Sequence, residues 1–251
     1  MAEQDSSSGP VINTASGSFA PEGRGVDAGR AIEWLKAGWA DFLKNPGVWI
    51  AITVVVMVIT VVLAMIPLVG HLALNFLVPV FVAGLLLGCK SLREGGELRF
   101  DHLFAGFKQN TGNLIMVSVY YLVGVVIISV LTMLVGGGAA MTGAVMGNGI
   151  GMGLAAGGFL IAMLIMLVLM TPLAMAIWFA PALVVFRNIE PIPAMKASFA
   201  ACMKNILPFL IFGVVVMVLA FIASLPVFLG WVVLFPVLVG SQYSSYLDLF
   251  E

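Results

Sequence analysis

Three asparagines stand at matching places in a pattern that occurs three times. It reads Ala-[Gly/Ser]-[Trp/Phe], five residues, Asn. The copies are Ala37, Gly38, Trp39 with Asn45; Ala105, Gly106, Phe107 with Asn113; and Ala197, Ser198, Phe199 with Asn205. A carboxamide donates and accepts hydrogen bonds, so three that converged would hold a lipid headgroup or a small polar ligand. The structural alternative is a helix stop. Asn tolerates the left-handed conformation that ends helices, and in the first copy Pro46 and Gly47 follow at once.

The other reactive side chains form no recognisable catalytic or metal-binding set. Asp101 and His102 are adjacent, with Glu97 nearby, but no nucleophile is spaced to pair with them. Cys89 and Cys202 are too few for a disulfide framework or a zinc site. Met141, Met146 and Met152 offer soft sulfur, yet no His or Cys joins them. There is no P-loop, HExxH, CxxC or GxSxG signature. The expectation is a non-enzymatic protein without metal or cofactor.

Composition sets the solvent in which these residues must be positioned. The 251 residues are 62% hydrophobic and 9% charged, with a mean hydropathy of +1.15. Soluble domains carry about 25% charged residues, so this chain belongs in a bilayer. The net charge of -1 implies no nucleic-acid partner. Residues 1–25 are rich in Ser, Gly and acidic residues, have no signal-peptide core, and read as a disordered tail.

Six spans are predicted: Val48–Ile66, Leu72–Gly88, Leu114–Val135, Phe159–Phe186, Ile206–Leu225 and Val227–Gly240, the last extendable into the interface by Ser241–Phe250. All 11 Lys and Arg fall before the first span, between the second and third, or between the fourth and fifth. With six spans these stretches share one side. Cytoplasmic loops are enriched in Lys and Arg, so both termini are expected in the cytoplasm. His71 and His102 then lie on opposite sides. No Asp, Glu, Lys or Arg falls inside a span, which argues against proton relays and ion paths. Asn75 is the intramembrane amide that most needs partners.

The pattern also predicts an internal repeat. Its first two alanines are 68 residues apart and the next two 92. Gly136–Gly158, a Gly-rich stretch, accounts for the excess and reads as a flexible insertion. The units are 26–92, 93–186 with the insertion 136–158, and 187–251. Each second span carries a proline followed four residues later by a small residue: Pro79/Ala83, Pro172/Ala176 and Pro236/Gly240. Two spans per unit make the repeats parallel, unlike the inverted repeats of many transporters. At about 100° per residue, Ile32, Leu35 and Trp39 share a helix face. So do Phe100, Leu103 and Phe107, and Ile192, Met195 and Phe199. Each unit is therefore led by an amphipathic helix lying in the interface. Pro193 restricts the third such helix to starting close by.

Several segments carry a resemblance: Val26-Asp27-Ala28-Gly29-Arg30, Gly38-Trp39 to Asn45-Pro46-Gly47, Ile66-Pro67-Leu68-Val69-Gly70, and Leu103-Phe104-Ala105-Gly106-Phe107. Over residues 26–251 the chain resembles an uncharacterised family of polytopic inner-membrane proteins of proteobacteria. More remotely, the unit is similar to the membrane region fused to some bacterial glycerophosphodiester phosphodiesterases, whose catalytic barrel has no counterpart here. The resemblance implies an inner-membrane location and no activity. The sequence reading is thus an all-α integral membrane protein that binds, scaffolds or organises the envelope. Membrane lipids are its partners, along with other membrane proteins or a second copy of itself. A passive or facilitated permeation path for a neutral solute or lipid is the alternative.

Overall fold

The computed structural model describes residues 19–146 and 148–251, and among them every regular element is helical. The helices are α1 (Arg30–Lys44), α2 (Pro46–Ala64), α3 (Val69–Arg93), a 3-10 helix (Phe100–Phe107), α4 (Thr111–Thr132), α5 (Gly138–Met146), α6 (Gly149–Trp178), α7 (Ala180–Arg187), α8 (Pro191–Lys204), α9 (Ile206–Ser224) and α10 (Trp231–Phe250). Five segments are long and apolar enough to cross a membrane: Pro46–Ala64, Val69–Arg93, Thr111–Gly143, Gly149–Arg187 and Ile206–Ser224. The sixth expected span is different in kind. A turn through Val227 and Phe228, both at positive φ, precedes α10. That helix is apolar only in its first half; its second half, Ser241–Phe250, is polar and largely buried.

The protein core lies at the basic ends of the helices. Trp34, Trp49, Leu85, Leu103, Phe179, Leu183, Tyr246 and Phe250 are all fully buried there. The opposite halves turn Val58, Val61, Met65, Leu164, Val168, Met217 and Phe221 outward. Outward apolar side chains cost nothing where lipid is the solvent.

Three expectations are corrected here. The Gly-rich stretch is helical rather than a loop: α4 runs through a π turn (Met133–Gly137) into α5, which packs back on α6. Small residues allow this. A Cβ on Gly143 would overlap the Gly151 carbonyl, and one on Gly136 would overlap Ala162. Asn148 caps α6, its Oδ1 accepting from the Gly151 N–H at 2.8 Å. Second, the long fourth run divides at Phe179, because Pro181 belongs in the first turn of a new helix, α7. Third, part of the expected tail belongs to the fold. Residues 1–18 lie outside the described residues, but Ala20 N–H donates to Phe250 O and Arg24 N–H to Leu249 O. Phe19 stacks on Phe250.

The most extensive contacts outside the α5–α6 hairpin join α1 to α10, the 3-10 helix to α3, and α8 to α6. In each, the small residue of the repeated pattern meets a proline-bearing helix. A Cβ on Gly38 would overlap Val237 O, and one on Gly106 would overlap Val80 O. Those carbonyls belong to the residues after Pro236 and Pro79. Ser198, which has a Cβ, bridges instead: its hydroxyl donates to Met175 O at 2.6 Å and accepts from Phe179 N–H at 2.9 Å. Pro172 lies one turn before Met175 in the same helix, α6.

Candidate functional site

The pattern asparagines each hold a different joint. Asn45 is the single residue between α1 and α2, and Asn205 the single residue between α8 and α9. Neither is left-handed: φ is −151° at Asn45 and −123° at Asn205. The sharp corner comes instead from a proline start at Pro46 and, at Asn205, from side-chain bonding. Asn205 is 1% exposed. Its Oδ1 accepts from Val26 N–H, and its Nδ2 donates to Arg24 O and Ala201 O, each at 2.8 Å. Asn45 Nδ2 donates only to Leu98 O, at 3.3 Å. Asn113 lies inside α4; the corner of the second copy falls at Asn110, which is left-handed (φ 54°) and donates to Val184 O at 3.0 Å. A 3-10 helix is tighter than an α-helix, and a segment of that kind in the second copy moves the corner. The structure engages Asn45 and Asn205 with separate backbone partners.

Asn205→Ala strands the Val26 N–H and the Arg24 carbonyl. It should lower stability by about 1–3 kcal/mol, read as a shifted unfolding curve in detergent. Asn45→Ala should cost visibly less, since one long, half-buried bond is lost.

Three ion-pair knots tie this end of the molecule. Asp41, 3% exposed, takes Arg93 Nε at 2.9 Å and Nη2 at 2.7 Å, with Lys44 at 3.4 Å. Arg93 also donates to Gly240 O and lies 5.0 Å from the Tyr243 ring centroid. Arg30 grips Asp248 with two bonds, and Trp34 Nε1 donates to the same carboxylate at 2.6 Å. Glu251 joins Arg187 and the Tyr246 hydroxyl.

Two of the cavities among the described residues take in residues considered above. One of about 570 Å³ is lined by Lys90, Ser91, Glu94, Asp101, His102 and Lys108. Most of its groups are spent locally. The Ser91 hydroxyl donates to Glu97 O, His102 Nδ1 accepts from Arg99 N–H, and Asp101 pairs with Arg99. Ser91 and His102 share no hydrogen bond among the described residues. Glu97, considered with Asp101 and His102, is not among the lining residues. The second cavity, about 510 Å³, lies between α3, α4, α6, α7 and α10. His71, Asn75, Ser118, Tyr121, Trp178 and Gln242 supply polar atoms to walls that are otherwise apolar. Among the described residues, no group of three His, Cys, Asp or Glu is placed to hold a metal ion.

The comparisons with known proteins meet this geometry at one point. A probable inner membrane protein of Burkholderia thailandensis is 25% identical over 227 residues, spanning 87% of this chain and 82% of that protein. No protein-family model matches the chain, and no solved structure does. The chain is an integral membrane protein by its apolar helices, and it is similar to one named for the inner membrane.

Both cysteines are buried, Cys89 in α3 and Cys202 in α8. Burial pushes the Cys202 thiol up to about 12, so almost none is thiolate at neutral pH. A membrane-permeant maleimide should leave both thiols unreacted in the folded protein over a time that fully labels it in denaturant. Fast labelling of either would contradict the packing of its helix.

Sequence reading missed the residues that join distant elements. Asp41, Arg93, Asp248 and Trp34 carry no motif, and only a charge beside an apolar helix face marks them. Within α1, Trp34 and not the pattern's Trp39 is the buried indole; Trp39 is 47% exposed.

Proposed function

We propose that this chain is a multi-pass inner-membrane protein of three parallel repeats and six spans, both termini cytoplasmic. It acts without catalysis, by binding membrane lipids and neighbouring membrane proteins or a second copy, and so organises the envelope. One observation carries the reading. The leading segment of each unit seats on the proline-bearing helix of the unit before it, and α1 closes the circle on α10 of the last unit. Units related by parallel repetition pack this way, and α10 then supplies the sixth crossing with its apolar half. Around the circle the leading segments leave Ile32 and Trp39, Phe100 and Phe107, Ile192 and Phe199 exposed. Exposed aromatic and aliphatic side chains beside basic residues suit the headgroup level. The basic ends suit the cytoplasmic side. The remoter likeness to a phosphodiesterase membrane region adds no activity to this reading.

Extraction in polymer-bounded native discs, followed by mass spectrometry of lipid and protein, tests the role. Retained phospholipid with a reproducible protein partner or second copy is expected; a bare monomer would sink the proposal. For topology, Phe228→Cys should react with an impermeant maleimide in intact spheroplasts, and Gly25→Cys only after lysis. The buried native thiols keep that background low.

The cavity among the spanning helices favours a second reading, a permeation path for a neutral solute or lipid. Flux through reconstituted liposomes above that of empty ones would select it.

A further inference from the structure

The cavity between α3, α4, α6, α7 and α10 holds an unusual combination of groups. Trp178 lines it, and the Trp178 Nε1 atom is buried with no hydrogen-bond partner. The Trp178 ring is fixed by edge contacts with Phe209 and Phe212, and Gln242 Nε2 donates to its carbonyl. Asn75 lines the same cavity, and its side-chain amide makes no hydrogen bond among the described residues. Pro79, one turn further along α3, has no N–H to give the Asn75 carbonyl. Among the described residues, two unused donor groups therefore belong to side chains that line one largely apolar space, beside a carbonyl that Pro79 cannot serve. Leaving such groups unpaired in hydrocarbon costs several kcal/mol each, so a site of this kind is built for a polar atom that arrives with an apolar body.

The depth and charge of the cavity narrow the class. From Trp178 to Arg187 at the basic end is nine residues, about 13 Å at helical rise. Among the described residues no Lys, Arg, Asp or Glu lines the space, and His71, one turn before Asn75 on α3, carries no permanent charge, so a phosphate there would be desolvated without a fixed counter-charge. Its volume of about 510 Å³ falls in the range of small-molecule sites, about 300–1,000 Å³.

We propose that this cavity binds a neutral lipid through a carbonyl oxygen, which accepts from the Trp178 indole N–H while Asn75 makes the second polar contact. The inference rests on the lipid-binding reading and adds a ligand class and an address to it. The two membrane sources of such a carbonyl are the ester of a neutral acylglycerol and the ring of a quinone.

Native mass spectrometry of the detergent-purified protein, titrated with dioctanoylglycerol in one arm and decylubiquinone in the other, tests it. At least one probe should bind saturably at one site per chain, and the arm that binds identifies the source. Trp178→Phe keeps an aromatic ring without the N–H and should weaken that probe about 3–10-fold, the worth of one hydrogen bond. Asn75→Leu should weaken it similarly and serves where Trp178→Phe fails to fold, as judged by its unfolding temperature. Hexadecane, which has no oxygen, should not displace the bound probe. Equal affinity in wild type and both variants, displacement by hexadecane, or no saturable binding in either arm overturns the inference. A protein that retains native phospholipid in discs yet fails here loses this site alone and not the broader reading.

Discussion

Gly38→Ala should unseat α1 from α10 and lower stability by about 3 kcal/mol or more, beyond the usual cost of one added methyl in a core. The added carbon would overlap the Val237 carbonyl and press on the Ser241 hydroxyl. The Val237 carbonyl and the Ser241 backbone nitrogen, 2.8 Å away, are main chain and cannot rotate aside. On the facing helix, Gly240 is equally committed, since a Cβ there would sit 2.8 Å from the Gly38 Cα. The clash is relieved only by moving α1, and α1 carries Arg30 and Trp34 to Asp248 and Asp41 to Arg93. Gly106→Ala should behave alike against Val80. Gly213→Ala is the control: its Cβ meets nothing within 4 Å in α9, and helix propensity predicts a gain of about 0.5–1 kcal/mol. Tryptophan fluorescence on heating in detergent reads all three. A wild-type midpoint for Gly38→Ala would mean that α1 and α10 do not meet as described.

Asp41→Ala should be the costliest single change at the ion-pair knots, about 3–5 kcal/mol. The Asp41 side chain is 4% exposed, and both Arg93 bonds fall on one of its oxygens. Removing the carboxylate leaves a guanidinium confined between Tyr243 and the Gly240 carbonyl, with its desolvation uncompensated. Arg93→Lys should recover only part of the stability, because an ammonium cannot reproduce the two-pronged approach or the ring contact. Arg93→Met in the Asp41→Ala background should be milder than the sum of the two single changes. Strict additivity would show that the pair is not coupled.

The parts of this fold that follow from composition were legible in the sequence. Apolar runs of span length, and basic residues gathered at one end of them, mark α2, α3, α4 and α9 to within about five residues, whereas the fourth run begins ten residues earlier than expected, at Gly149. Pro193 falls in the first turn of α8, where its missing N–H is harmless. The parts that depend on what meets what were not. Gly136–Gly158 reads as a loop because glycine lowers helix propensity, yet between two helices the same glycines permit a close approach that outweighs the loss. Asn113 matches the pattern by count, but a 3-10 turn uses fewer residues per turn and hands the corner to Asn110. Phe19–Arg24 looks like tail and is bonded to Leu249 and Phe250, partners more than 200 residues away. The candidate cavity was half legible: Asn75 stands out as an amide in an apolar run, but Trp178 does not, since only the fold leaves its N–H unpaired.

The seating of α1 on α10 fixes an order of events during synthesis. α1 is held by α10, and residues 45–230 must be translated in between, on the order of 10–40 s at typical elongation rates. Throughout that interval α1 lacks its largest partner, and Trp34 meets Phe209 and Phe212 only once α9 has been made. Such non-local closure is slow and exposes apolar surface. Insertion of the early spans therefore does not complete the molecule. Completion waits for the end of α10, where Asp248, Leu249 and Phe250 bind Arg30, Arg24 and Ala20, so this last turn acts as the clasp that holds α1 and the segment before it.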